Sequence, residues 1–245
     1  MHLKTWLRKA GFEVARYVHT SSPVARRMHL LESNRIDLVF DVGANVGQYA
    51  ASLREGGYRG RIVSFEPLTS AFSRLEASTE ADPLWQVVNI GLGDRDERAT
   101  INIAGNSQSS SLLDMLPAHL KSAPESAYVG KEEITVSRLD SVFSKYHRQG
   151  DRTFLKLDAQ GYERKILEGA SLSMRDILGI QLEMSIEPLY NNEMPYLEML
   201  GYLAGMGLPW RPSSPASATR YPAGCSRWTE FSSGPEADGV RLRTP

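Results

Sequence analysis

The sequence predicts an α/β fold: a mostly parallel, twisted sheet with helices on both faces. Three observations carry that prediction. From residue 36 onward, short apolar runs alternate with helix-length amphipathic stretches, the pattern of right-handed β-α-β units. Four of those runs close on or near a carboxylate, at Asp41, Glu66, Asp158 and Glu183. A glycine-bearing turn follows the first run, in Asp41-Val42-Gly43-Ala44-Asn45-Val46-Gly47-Gln48.

The elements follow in order. Residues 1–32 form an N-terminal basic helical segment, and over its first 30 residues Lys4, Arg8, Lys9, Arg16, Arg26 and Arg27 stand against a single acid, Glu13. Leu3, Trp6, Leu7, Ala10, Val14 and Tyr17 fall near helical spacing. The expectation is a helix packed across the sheet edge with its cations in water. The same pattern is compatible with peripheral contact at an anionic membrane surface.

The domain core is expected over residues 33–208. Leu38–Val42 reads as a buried strand, Gly47–Arg54 as a helix and Ile62–Glu66 as a second strand. Ser70–Ala77 is helical, and Gln86–Ile90 is a third strand closing on Gly91-Leu92-Gly93-Asp94. Thr100–Ile103 and Ile134–Val136 read as short strands around a polar insert, Asn106-Ser107-Gln108-Ser109-Ser110-Ser111. Thr153–Asp158 is an apolar strand interrupted by Lys156, and a helix opens at Gly161-Tyr162-Glu163 and runs to Gly169. Gly179–Met184 is another strand, followed by a helix from about Met194 to Met206.

Composition narrows the function classes. The 245 residues are 41% hydrophobic and 23% charged, ordinary for a globular chain with a sizeable core. A net charge of −1 gives no overall field for nucleic acid. The single cysteine, Cys225, forms no internal disulfide, which fits a reducing, cytoplasmic setting. No apolar run is long enough to span a bilayer, and the N-terminus lacks the pattern of a signal peptide.

The strand-end carboxylates and the glycine turn describe a nucleotide-type cofactor site at the carboxyl edge of the sheet. Glu66 is suited to accept both hydroxyls of a ribose. The glycines are spaced G-x-x-x-G rather than G-x-G-x-x-G, and Asp41 sits two residues before the first. A carboxylate there repels a pyrophosphate but suits a cationic ligand, so the sign of charge favours a sulfonium cofactor over NAD. Asp158 and Glu183 are the candidate catalytic bases. Two carboxylates without a third spaced ligand do not make a metal site. The histidines are scattered; His119 could approach the cleft through the polar insert, but a surface position is the expectation.

Four blocks occur together in this order: Asp41 to Gln48, Phe65-Glu66-Pro67, Ser137-Arg138-Leu139-Asp140, and Leu155-Lys156-Leu157-Asp158-Ala159-Gln160-Gly161-Tyr162-Glu163. With them the chain resembles the FkbM-type methyltransferases over roughly residues 33–208. The resemblance implies a Rossmann-like class I methyltransferase fold, S-adenosyl-L-methionine as cofactor, and O-methylation of a hydroxyl on a sugar, glycolipid or glycoside. It implies that Asp41, Gly43, Ala44, Asn45 and Gly47 hold the methionine portion, and that Glu66 and Pro67 meet the ribose. Asn89 and Asp94 would lie near the adenine, and Asp158 beside the transferring methyl. The family often carries Glu where this chain has Gln160. The alternatives are a cofactor-binding protein without turnover, or an NAD-linked oxidoreductase.

After Leu208 the texture changes to an irregular tail, residues 209–245, rich in proline, serine and arginine. Family members typically end in a strand pair bearing Leu-Glu-Pro-Gly-Phe and Gln-Val-Asp segments. With allowed codons and a one-base shift, the tail from Trp210 onward reads A-S-L-E-P-G-F-S-D-P-L-P-G-R-M-L-Q-V-D-G-I-F-F-R. The expectation is a frame change near Pro209 that removed the final strands and left Gly179–Met184 as an exposed apolar edge.

Overall fold

The computed structural model describes residues 23–208, 210–211 and 226–232. The expectations for residues 1–22 lie outside the described residues.

Helix α1 (Pro23–Ser33) begins at a proline and buries Ala25, Met28 and Leu31. Strand β1 (Leu38–Val42) follows, then α2 (Gln48–Glu55), β2 (Arg61–Phe65), α3 (Thr69–Thr79) and β3 (Trp85–Val88). The second half supplies α5 (Leu139–Tyr146), β7 (Thr153–Leu157), α6 (Glu163–Gly169), β8 (Ile177–Ser185) and α7 (Tyr196–Gly205). Between the halves stand β4 (Gly91–Leu92), β5 (Glu97–Ala104), α4 (Pro117–Ser122) and β6 (Tyr128–Ser137). The tail contributes β9 (Trp210–Arg211) and β10 (Ser226–Ser232).

The main sheet has the order β3-β2-β1-β7-β8-β10-β9. Its first five strands are parallel, and β10 and β9 run antiparallel at one end. Both central strands, β1 and β7, are buried at every residue. They therefore read as continuous apolar runs rather than as alternation. One core cluster gathers Phe40, Phe65, Leu139, Phe143 and Ile180 beneath α5, α6 and α7. Another gathers Leu31, Val39, Leu53, Leu75 and Phe154 beneath α1, α2 and α3. Helices thus cover both faces, as the sequence predicts.

Two expectations are corrected. The edge of Gly179–Met184 is not left open, because Ser226–Ser232 pairs with Ile177–Ser185 from Ser226↔Ser185 to Ser232↔Gly179. The final strands are therefore present in the backbone, one on β8 and one beyond it. The short strands expected at Thr100–Ile103 and Ile134–Val136 are parts of a longer pair, β5 with β6, forming a second sheet of order β4-β6-β5. Buried residues fall only in the C-terminal half of each strand, so the exposed N-terminal halves carry no apolar signal.

Candidate active site

The site sits where β1, β2 and β7 end, and its floor is made by backbone crossing. After Val42 the chain turns through left-handed conformations at Gly43 (φ 70°), Asn45 (φ 48°) and Gly47 (φ 92°). Gly43 and Ala44 donate to the Phe65 carbonyl, each at 3.1 Å. Asp158 N–H donates to the Val42 carbonyl at 3.1 Å. A Cβ at Gly43 would collide with the Asp158 carbonyl oxygen, so only glycine lets the two strand ends lie this close.

Beneath that crossing lies Lys156, wholly buried in β7. Its ammonium is 2.9 Å from Asp41 and 3.7 Å from Asp158, and it donates to the carbonyls of Val42 and Gly43 at 3.2 and 3.1 Å. Burial opposes its charge, yet the Asp41 and Asp158 carboxylates hold its pKa above the ordinary lysine value. Asp41 is itself fully buried and accepts from Ser64 Oγ at 3.1 Å, and Ser64 accepts from the Trp85 indole at 2.9 Å. A paired, hydrogen-bonded charge of this kind fixes geometry rather than adding stability.

Glu66 closes β2 and is 4% exposed. One carboxylate oxygen accepts the Asn45 N–H at 2.8 Å and the other the Leu68 N–H at 2.9 Å. Each oxygen keeps a second lone pair, so the group can still receive two hydroxyls. Burial pushes its pKa up to about 7, against the lowering effect of those two amides and of Lys156. Beside Glu66 the cleft is lined by Pro67, Leu68, Ile90, Gly91 and Leu92, an apolar stretch.

The cleft has a volume of about 690 Å³, within the usual range for a small-molecule site of roughly 300–1,000 Å³. Its far side is polar. Ser107 to Ser111, His119 and Ser122 come from the insert between β5 and β6. Gln160 (φ 53°) stands at the centre, its amide N–H₂ donating to Asp158 at 2.8 Å and to Glu183 at 3.3 Å. The Tyr190 hydroxyl lies 2.9 Å from the Gln160 amide oxygen and 3.0 Å from the Ser109 carbonyl. From α1, Arg27 reaches in over the Tyr49 ring at 4.5 Å and donates to Gln181 at 3.2 Å and Ser52 at 3.1 Å.

Of the residues named from sequence, Gly43, Ala44, Asn45, Glu66, Pro67, Asp158 and Glu183 line this one cleft. Four others do not line it. Asp41 lies under the loop, its charge met by Lys156. Gly47 packs into the core, where a Cβ would meet Leu75 and Trp85 at 2.9 Å. Asn89 is turned to the Glu66 and Pro67 carbonyls at 2.9 and 3.0 Å, bracing the loop from behind. Asp94 pairs with Lys165 at 2.9 Å. The surface expectation for His119 is corrected in favour of its alternative: it is 7% exposed and belongs to the cleft wall. Sequence reasoning missed Arg27, Tyr49, Gln160 and Tyr190 as site residues. Lys156 alone left a signal, a charge inside an apolar strand.

Comparison with known proteins adds the family. Residues 41–207 match the family model described as the methyltransferase FkbM domain. The AMB antimetabolite synthetase AmbE of Pseudomonas aeruginosa (strain PAO1) is 39% identical over 64 residues, 26% of this chain and 3% of that protein. A methyltransferase FkbM from Methylobacillus flagellatus KT aligns with TM-score 0.48 and 17% identity, covering 80% of this chain and 43% of that one. The N-terminal domain of human METTL16 in complex with SAH aligns with TM-score 0.45 and 11% identity, covering 94% of this chain and 79% of that one. The chain thus spans less than half the length of the first two relatives. The match over residues 41–207, which takes in the glycine turn, Glu66 and the block from Leu155 to Glu163, makes this chain a member of the FkbM methyltransferase family.

Proposed function

We propose that the chain is an S-adenosyl-L-methionine-dependent O-methyltransferase acting on a hydroxyl of a sugar, in a glycolipid or glycoside. The observation that carries the cofactor reading is Glu66, buried at a strand end with one lone pair left on each oxygen. It stands beside a glycine turn whose backbone a ligand can approach, and the apolar stretch at Ile90–Leu92 lines the same cleft. The residues present therefore fit a nucleoside with a cationic amino-acid arm. When bound, that cofactor supplies an electrophilic methyl on a sulfonium.

The protein's own part is alignment and charge. Gly43, Ala44 and Asn45 would seat the amino-acid arm, and Glu66 would hold the ribose. Asp158 and Glu183 make the end of the cleft electronegative, which favours a cationic donor and receives the acceptor hydroxyl. Gln160 keeps those two carboxylates at a fixed separation. Positioning of this kind can supply much of the rate of a displacement reaction. The serines of the insert offer hydroxyl partners to a polyhydroxylated acceptor rather than to an apolar one. No nucleic acid is required. The basic N-terminal segment suits a cytoplasmic enzyme with peripheral contact at a membrane carrying its acceptor.

Calorimetric titration with S-adenosylhomocysteine tests the reading. Saturable binding is expected, weakened at least tenfold in Glu66→Ala, a loss of about 1.4 kcal/mol. A folded, monodisperse sample that takes up no S-adenosylhomocysteine would sink the assignment.

A further inference from the structure

The geometry points to Arg27 as the seat for a ligand carboxylate on the cleft wall, an inference that rests on the cofactor reading above.

Arg27 is half-buried on α1 and lines the cleft. Its Nε donates to the Gln181 amide oxygen at 3.2 Å and its Nη1 to Ser52 Oγ at 3.1 Å. The guanidinium carbon lies 4.5 Å from the centroid of the Tyr49 ring, and the Tyr49 hydroxyl donates to the same Gln181 oxygen at 3.0 Å. Those contacts fix the group before a ligand arrives, yet every partner is uncharged. No carboxylate pairs with Arg27 among the described residues. Its other terminal nitrogen, Nη2, makes no hydrogen bond there and is not among the unpartnered atoms sealed from solvent. An arginine cannot shed its charge, and a partly desolvated charge without a counter-ion is costly. A ligand carboxylate would supply the counter-ion, in the planar fork geometry that a guanidinium favours.

Its neighbours place Arg27 beside the glycine turn. Tyr49 is the second residue of α2, which begins directly after Gly47. The Lys156 ammonium lies 5.2 Å from the centroid of the same ring, donates to the Gly43 carbonyl at 3.1 Å and stands 3.7 Å from Asp158. One ring is thus shared by Arg27 and by the lysine that anchors the turn. The two cations differ in what they meet, because Lys156 is matched by Asp41 and Asp158 and Arg27 by neither. The amino-acid arm of the cofactor is a zwitterion. Asp158 suits its ammonium, and Arg27 offers the complement for its carboxylate. A carboxylate on a sugar acceptor has the same chemistry and would be met by the same guanidinium.

The experiment is calorimetry on the full chain, comparing the parent with Arg27→Met and Arg27→Lys. Each is titrated with S-adenosylhomocysteine and with methylthioadenosine, which lacks the amino-acid arm. If the carboxylate is the cofactor's, Arg27→Met should lose about tenfold or more in S-adenosylhomocysteine affinity while its methylthioadenosine affinity stays within about twofold of the parent's. Arg27→Lys should fall between the two, since it keeps the charge without the fork. If the carboxylate is the acceptor's, Arg27→Met keeps its S-adenosylhomocysteine affinity. The parent saturated with S-adenosylhomocysteine should then bind glucuronate more tightly than glucose, a preference that Arg27→Met abolishes. Either result supports the seat and names the source of its ligand. Equal losses for S-adenosylhomocysteine and methylthioadenosine overturn the proposal, because a merely structural role lowers both. So does an Arg27→Met that binds S-adenosylhomocysteine as the parent does and matches it in glucuronate preference. Should Arg27→Met fail to fold, the same ratio of affinities is read from Arg27→Lys. A folded parent that takes up neither adenosine ligand overturns the cofactor reading and this proposal with it, whereas a parent that binds both confines any failure to Arg27.

Discussion

Glu66 shows how one residue couples the fold to its ligand in opposite senses. Burial raises its pKa from 4.5 to about 7. A raised acid favours folding in its protonated form, so its stabilising contribution is complete below pH 4.5 and is lost as pH rises through 7. The ribose, in contrast, is best received by the ionised carboxylate. S-adenosylhomocysteine affinity should therefore fall as pH drops below 7, by up to about tenfold per unit, and Glu66→Gln should flatten that dependence. Calorimetry at pH 5, 6, 7 and 8 checks it, and a parent whose affinity is level across that range would rule out the ionised form as the binding species. Glu66 was legible because a carboxylate ending an apolar strand has few structural reasons to be there. Arg27 and Tyr190 were not: nothing along the chain reports that Arg27 reaches the cleft or that the Tyr190 hydroxyl meets Gln160.

At the scale of elements, the layout rests on close backbone crossings that side-chain patterns only partly announce. Strands β1 and β7 were legible because burial on both faces makes them uniformly apolar. The lengths of β5 and β6 were hidden by their exposed N-terminal halves. The contact between the end of α6 and the turn after β4 was also hidden. A Cβ at Gly169 would collide with the Gly93 carbonyl, so helix and turn meet only because one of them lacks a side chain. Gly169→Ala should destabilise the protein by about 1–3 kcal/mol through overpacking. Urea unfolding followed by far-UV circular dichroism reads that value directly. An unchanged midpoint would mean that this crossing relaxes freely.

At the scale of the whole molecule, the C-terminal end of the sheet is closed by the tail. The strand Ser226–Ser232 covers β8, although its sequence departs from what the family resemblance implies. In the shifted frame the codons over that strand give Q-V-D-G-I-F-F, so the two frames propose a strand at the same place. Sequencing the coding region tests the frame change. Codons that give the family-like peptide when read one base out of register are expected from Trp210 to Gly234. A coding sequence without that peptide rules the change out and leaves the tail as the native end of the sheet.

The Lys156 crossing has a further consequence, for the order in which the molecule comes into being. Its ammonium holds carbonyls that lie 114 and 113 residues earlier in the chain. During synthesis, β1, β2 and β3 leave the ribosome well before β7, their central partner, exists. The first three strands must wait with apolar surface uncovered, and closing so long a loop makes folding intrinsically slow. The half that carries Gly43 and Glu66 therefore precedes β7 in sequence but is among the last parts to be completed, and a nascent chain is most exposed to misassembly in the interval before Lys156 arrives.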